Sequence, residues 1–227
     1  MIIKVIIPAY NEEESIAKVV KAIPQELVKE IIVANNNSSD NTSEEATKAG
    51  ATVIDQKLPG YGNACLKGMQ YIAESPEKPD VIVFIDGDFS DYPEQMIDLV
   101  NKIKEGFDLV IGSRALGNKE KGSMTPPQVF GNWLSTFLIK LFYKYSYTDL
   151  GPFRAITYKA LLELDMQDKN YGWTVEMQLK AVHKKMKIIE VPVDYKKRIG
   201  TSKISGTVKG VIFAGIKIIT TIFKYRK

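Results

Sequence analysis

Asp86 and Asp88 flank a single glycine, Gly87, directly after the apolar run Val81 to Ile85. A turn at that point lets both carboxylates, with Asp91 close by, approach one hard divalent cation. Mg2+ and Mn2+ prefer such oxygen ligands and commonly share them with substrate phosphates. Solvated acids in an Asp-Gly turn are the plainer reading, but the position at the end of an apolar run favours the metal. Two more polar segments also come directly after apolar runs, Pro8-Ala9-Tyr10-Asn11-Glu12 and Asn35 to Thr42. Other chemistries are poorly served. There is no Walker-type lysine loop, and Gly60-Tyr61-Gly62 lacks the third glycine of a dinucleotide fingerprint. His183 is the sole histidine and Cys65 the sole cysteine, which disfavours a zinc site, a Cys-His nucleophile and a Ser-His-Asp triad.

These polar segments need a scaffold that brings them together. Short β-rich runs alternate with helical patterns, which predicts an α/β fold with a mainly parallel sheet and helices on its faces. Strands are expected at Ile2 to Ile7, Glu30 to Ala34, Ala51 to Ile54, Val81 to Ile85 and Leu109 to Gly112. A further strand, Ile188 to Val193, carries Pro192 and belongs at a sheet edge. Helices are expected at Glu12 to Ile23, from Asp40 to about Ala49, over Ala64 to Ala73, from Pro93 to about Lys104, and over Val129 to Tyr147. In open sheets of this kind ligands bind beyond the carboxyl ends of the strands, where all three polar segments fall. Thr207 to Tyr225 is amphipathic, with Val208, Val211, Ile212, Ile216, Ile219, Ile222 and Phe223 on one arc and Lys209, Lys217 and Lys224 opposite. Packing on its own domain and lying in a membrane interface are the two readings of such a helix.

The chain has 227 residues, 44% of them apolar and 26% charged, which suits one α/β domain and excludes disordered and disulfide-rich classes. A single cysteine makes a reducing compartment the default. The first seven residues are too few for a signal-peptide core, and no apolar run is long enough to span a bilayer. A cytoplasmic protein is expected, with a peripheral place at the cytoplasmic membrane face as an option. The net charge of +4 conceals a split: Lys184 to Lys227 holds 12 Lys or Arg against Glu190 and Asp194, a net of +10, leaving −6 elsewhere. Such a tail points to phosphate, a lipid surface or nucleic acid, or is simply a solvated lysine-rich face.

With these residues in view, the chain resembles the family 2 glycosyltransferases of the GT-A fold, most closely the polyprenol (dolichol) phosphate sugar synthases. Ile6-Ile7-Pro8-Ala9-Tyr10-Asn11-Glu12 resembles the family's first nucleotide-contacting segment. Asp86-Gly87-Asp88 with Pro93-Glu94 after it is similar to the family's metal and diphosphate motif. Gly112-Ser113-Arg114, then Asp149-Leu150-Gly151-Pro152-Phe153-Arg154, then Glu190-Val191-Pro192-Val193 with Arg198, Gly200, Ser202 and Lys203, occur in the family's order. The likeness covers roughly residues 1 to 205. It implies a GT-A catalytic domain over 1–206 and a basic amphipathic helix over 207–227.

The resemblance further implies inverting transfer of a sugar from a UDP- or GDP-sugar, assisted by Mg2+ or Mn2+ on Asp86 and Asp88. Pro8, Ala9, Tyr10, Glu12, Asn35, Asn36, Asp86, Gly87 and Arg114 would line the donor site. Arg154, Arg198 and Lys203 would serve phosphates, and the catalytic set would be Asp88, Asp149, Glu176 and Arg198. Two positions depart from the family pattern. Asn35 and Asn36 stand where aspartates are common, and Ser90 stands where relatives often place glutamine. A polyprenyl or dolichyl phosphate acceptor is expected, and no nucleic acid. A phosphate monoester is largely dianionic at neutral pH and attacks unaided, whereas a saccharide hydroxyl would need Asp149 or Glu176 as base. The same residues also admit a helix N-terminal role for Glu176 and a structural ion pair for Arg154. A non-catalytic sugar-nucleotide-binding subunit and a nucleotidyltransferase complete the alternatives, the latter disfavoured by the absence of a Gly-rich lysine loop after the first strand.

Overall fold

The computed structural model describes residues 1–201 and 208–226, without the side chains of 208 and 209. Seven strands form one sheet: β1 (Ile3–Ala9), β2 (Glu30–Asn35), β3 (Thr52–Asp55), β4 (Val81–Phe84), β5 (Leu109–Ser113), β6 (Arg154–Thr157) and β7 (Ile188–Pro192). Their order is β3-β2-β1-β4-β6-β5-β7. All neighbours are parallel except those of β6, which runs antiparallel to both β4 and β5. Pro192 does end an edge strand, as its missing N–H requires.

The apolar runs explain the layering. Along β1 every residue is buried, with Val5 and Ile7 facing one core and Ile6 the other. In β4, Val81 and Val83 face the first core, Ile82 and Phe84 the second. Strands buried on both faces must be covered by helices on both. The first layer holds α1 (Ile16–Ala22), α2 (Thr42–Lys48) and α4 (Met96–Lys104). The second holds α3 (Tyr61–Glu74), α5 (Pro126–Tyr143), α6 (Tyr158–Leu164), α7 (Trp173–His183) and α8 (Val208–Lys224).

Several boundaries differ from the sequence reading. α1 begins at Ile16, because Glu12 to Ser15 form a turn that leaves Glu12 beside the strand end. α5 starts at Pro126, where Thr125 and Gln128 form a reciprocal cap, and stops at Lys144 in the left-handed region (φ 56°). The pair β6 and α6 carries no separate periodic signal; its strand is four residues long and its helix seven. α8 packs against α5 and α7 through Ile218, Ile222 and Tyr225, a face rotated from the arc read from the sequence. Among the described residues no helix is long and apolar enough to cross a membrane.

From β1 the chain steps outward to β2 and β3, then returns to the other side of β1 as β4. The order reverses there, so a crevice opens at the carboxyl ends of β1 and β4.

Candidate functional site

A cavity of about 340 Å³ occupies that crevice. Its walls are Pro8, Ala9, Tyr10 and Glu12 after β1, and Asp86, Gly87 and Asp88 after β4. Asn36 and Asn37 border it from β2, Gly60, Tyr61 and Ala64 from the start of α3, and Arg198 from the chain beyond β7. Eight of the residues expected at a donor or metal site therefore meet in one place, together with Arg198, which is expected to serve phosphates. Asn37, from the polar segment after β2, also lines it, as do Tyr61, Asn170 and Tyr171, which sequence reasoning does not single out. The signal for Tyr61 lies in Gly60-Tyr61-Gly62, which reads in sequence only as an incomplete dinucleotide fingerprint. Asn170 and Tyr171 belong to no motif at all.

The two carboxylates differ in surroundings. Asp86 accepts a hydrogen bond from the Tyr61 hydroxyl at 3.0 Å. Burial, and then the charge of Asp88, push the Asp86 carboxyl up to about 7. Asp88 accepts from the Ser90 amide at 2.9 Å and its hydroxyl at 2.5 Å. Its other oxygen lies 3.1 Å from Arg198 Nη1, while Arg198 Nη2 donates to Glu12 Oε1 at 2.6 Å. The main chain reinforces this closure, with the Ile199 amide on the Asp88 carbonyl at 3.0 Å. A guanidinium thus rests where two acids would otherwise face one another.

This donor set fits a hard divalent cation. The described residues hold no cluster of three or more Asp, Glu, His or Cys able to cage a metal alone. Two carboxylates facing a cavity, one of them already balanced by a cationic group, suit an ion that completes its shell with water and substrate oxygens. Asp91 lies deeper. Burial and then Asp86 push its carboxyl well up, and neither of its oxygens has a hydrogen-bond partner among the described residues.

Other expected residues sit elsewhere or are engaged. Asn35 donates to Asp55 Oδ1 at 3.0 Å and accepts from the Ser38 amide, so it pins the β2 and β3 ends and does not line the cavity. Asn36 reaches the cavity, but its amide is spent on the carbonyls of Gln56 and Leu58 and on the Gly60 amide. Arg154 is fully buried in β6, its guanidinium on the carbonyls of Thr174, Leu150 and Gly151. Enclosed in this way it does not line the cavity, so its placement gives no support to its expected phosphate role. Asp149 is bidentate with Arg114, at 2.7 Å on both contacts. Burial would raise that carboxyl, but the Arg114 charge and hydrogen bonds hold it below its ordinary value. Glu176 is also fully buried, accepting from the Gln167 and Asp168 amides, Lys180 and the Tyr225 hydroxyl. In this arrangement both acids are paired, and neither stands as a free base. Trp173 is core, edge-on to Phe84 at 5.9 Å. Lys203 lies outside the described residues.

The chain is 31% identical over 215 residues to an uncharacterized glycosyltransferase of Mycobacterium tuberculosis, covering 93% of this chain and 94% of that protein. It is 29% identical to an undecaprenyl-phosphate mannosyltransferase of Micrococcus luteus, over 90% of this chain and 88% of the relative. A dolichyl-phosphate hexose transferase of Haloferax volcanii is 30% identical, over 88% and 85%. In structure the chain resembles glucosyl-3-phosphoglycerate synthase from Mycobacterium tuberculosis, solved with Mn2+, UDP and glucosyl-3-phosphoglycerate. That likeness has a TM-score of 0.79 at 22% identity and covers 99% of this chain and 79% of that one, which establishes the shared GT-A fold. The profile described as Glycosyl transferase family 2 matches residues 4–164, from β1 to the end of α6, and this chain is therefore a glycosyltransferase of that family.

Proposed function

We propose that the protein transfers a sugar, with inversion, from a UDP- or GDP-sugar to a polyprenyl or dolichyl phosphate, with Mg2+ or Mn2+ held by Asp86 and Asp88. The observation that carries this reading is the engagement of both would-be bases. Asp149 is locked to Arg114 and Glu176 is sealed beneath α8, so a hydroxyl acceptor would first require one of these pairs to open. A phosphate monoester is already anionic and needs no such group. Two relatives carry an undecaprenyl-phosphate or dolichyl-phosphate transferase name, which supports the same acceptor class. A bound divalent ion supplies positive charge to the departing diphosphate. Arg198 stands beside the carboxylates to add a guanidinium to the same phosphates. Arg114, held rigid by Asp149 and stacked 5.0 Å from the Tyr195 ring, offers a second fixed cation.

The test is a panel of UDP- and GDP-sugars with Mn2+, with and without a short polyprenyl phosphate, scored for nucleotide release and lipid product. Turnover with one donor that depends on the lipid phosphate is the expected result. Nucleotide release indifferent to the lipid would overturn the acceptor, and silence across the panel would overturn catalysis in favour of a binding subunit.

A peripheral place on a membrane, at the cytoplasmic face, accompanies this reading. α5 exposes Phe130, Trp133, Phe137 and Leu141 along one stripe, and α8 exposes Ile212, Phe213, Ile216 and Phe223. Neither helix contains an acidic residue, and no acid occurs from Tyr195 to Lys227. An apolar stripe edged by lysines suits an anionic leaflet. Trp133 is 57% exposed and the only other tryptophan, Trp173, is 1% exposed. Vesicles containing phosphatidylglycerol should therefore shift Trp133 emission to the blue, and Trp133→Glu should weaken cosedimentation about tenfold. Equal emission with and without vesicles would remove the membrane from the account.

A further inference from the structure

We propose that Lys217, on the terminal helix, and Tyr225, the residue directly after that helix, are positioning residues for the donor cavity, acting through the segment between α6 and α7. This rests on the cavity being the donor site but not on which acceptor is used.

Asn170 and Tyr171 line one wall of the cavity, and neither belongs to a helix or strand. Their segment is fixed from behind by Glu176, which accepts from the Gln167 amide at 3.0 Å and the Asp168 amide at 2.6 Å. Glu176 is itself held by Tyr225, whose hydroxyl donates to Oε1 at 2.8 Å, and by Lys180 at 2.7 Å. Asp168 makes the second tie. Its Oδ1 accepts from the Asn170 and Gly172 amides, and its Oδ2 lies 2.8 Å from Lys217 Nζ. Both ties lead to α8 and the residue directly after it.

The front of the segment is packed without slack. The Asn63 amide donates to the Lys169 carbonyl at 3.0 Å. A Cβ at Gly60 or Gly62 would collide with the carbonyl oxygens of Lys169 and Asp168, so the start of α3 sits directly on this wall. Between those two glycines Tyr61 reaches Asp86. An unbroken line of contacts therefore runs from α8 to a carboxylate of the expected metal pair. Packed contacts of this kind carry displacement because they leave no void to absorb it.

The two ties are unequal. The Lys217 side chain is 44% exposed, so its ion pair is weakened by solvent. Tyr225 meets a fully buried carboxylate, and a hydrogen bond to a buried charge is the stronger restraint. Tyr225→Phe removes that bond and keeps the ring.

Hydrogen exchange on the full chain tests this without any ligand. In Tyr225→Phe the amides of Asp168 and Asn63 should exchange about tenfold faster, as expected for the loss of one bond to a charged group. Lys217→Met should give a smaller change at the same amides, and Lys217→Arg should restore it. Amides in β1 and β4 should be unaffected. Binding is then measured with Mn2+ plus UDP and Mn2+ plus GDP. The tighter of the two should weaken several-fold in Tyr225→Phe, raising KM for the donor more than it lowers kcat. Unchanged exchange at Asp168 and Asn63 would overturn the proposal. So would a uniform rise that includes β1 and β4, since Tyr225 would then serve global stability alone. If neither nucleotide binds the unaltered protein, the donor assignment fails, while the exchange data still decide whether α8 braces the wall.

Discussion

Asp86→Asn is expected to lower sugar transfer by about 10³-fold, on the scale of losing a principal electrostatic catalyst, and to raise the unfolding temperature at pH 8. The two effects share a cause. The Asp86 carboxyl is half-buried in the cavity wall, beside Asp88, and is pushed up to about 7 from an unperturbed 3.8. Its folded-state value lies above its unfolded value, so between roughly pH 4 and pH 7 the folded protein binds the extra proton. Stability therefore falls as pH rises through that window, and at pH 8 the folded state carries the whole cost, on the order of a few kcal/mol. Asparagine has no charge to enclose and still accepts from the Tyr61 hydroxyl. Calorimetry should show the variant more stable at pH 8 by several degrees, with the gain shrinking towards pH 5. Mn2+ binding to the unaltered protein should weaken below pH 7, by up to about tenfold per unit, because the ion competes with that proton. Retained transfer in Asp86→Asn, or a lower unfolding temperature at pH 8, would remove Asp86 from the site.

Why such a destabilised carboxylate is visible in the sequence has a simple physical basis. Val81 to Phe84 is buried on both faces, so the strand is readable as an apolar run, and the polar residues directly after it must emerge at the carboxyl edge of the sheet. The same logic locates Pro8 to Glu12 after β1. Composition and spacing do not encode which polar groups the folded chain satisfies internally. Arg154 carries the charge a phosphate needs, but it starts β6 where three carbonyls converge on its guanidinium. Glu176 has the position of a helix N-terminal acid, but one of its partners, Tyr225, comes nearly fifty residues later, and no local pattern announces it. Asn36 shows the converse. Its place after β2 is legible, whereas the loop at Gln56 to Gly60 that consumes its amide is not. Long-range partners decide each role, and a linear reading sees only the residue type.

Arg198→Ala is expected to bind Mn2+ more tightly in the absence of nucleotide, by about tenfold, and yet to lose sugar transfer by about 10²-fold or more. The guanidinium spans Glu12 at 2.6 Å and Asp88 at 3.1 Å, so it already engages one of the two carboxylates proposed to hold the metal. Its Nε is buried with no hydrogen-bond partner among the described residues, so this arrangement leaves part of the group unsatisfied. A metal approaching Asp88 alone meets like charge. A diphosphate bound as well would offer the guanidinium anionic oxygens in place of Asp88 and so free that carboxylate for the ion. Cation and nucleotide should accordingly bind with positive coupling, each tightening the other by the same factor. Calorimetric titrations of Mn2+ with and without UDP or GDP measure that factor directly. In Arg198→Ala the coupling should shrink because the competitor is gone, while the leaving diphosphate loses a bidentate partner in the transition state. Arg198→Lys keeps a point charge without the planar fork, and should fall between the two in both measurements. Nucleotide-free Mn2+ affinity that stays the same or weakens in Arg198→Ala would show that the bridge to Glu12 and Asp88 does not guard the metal position.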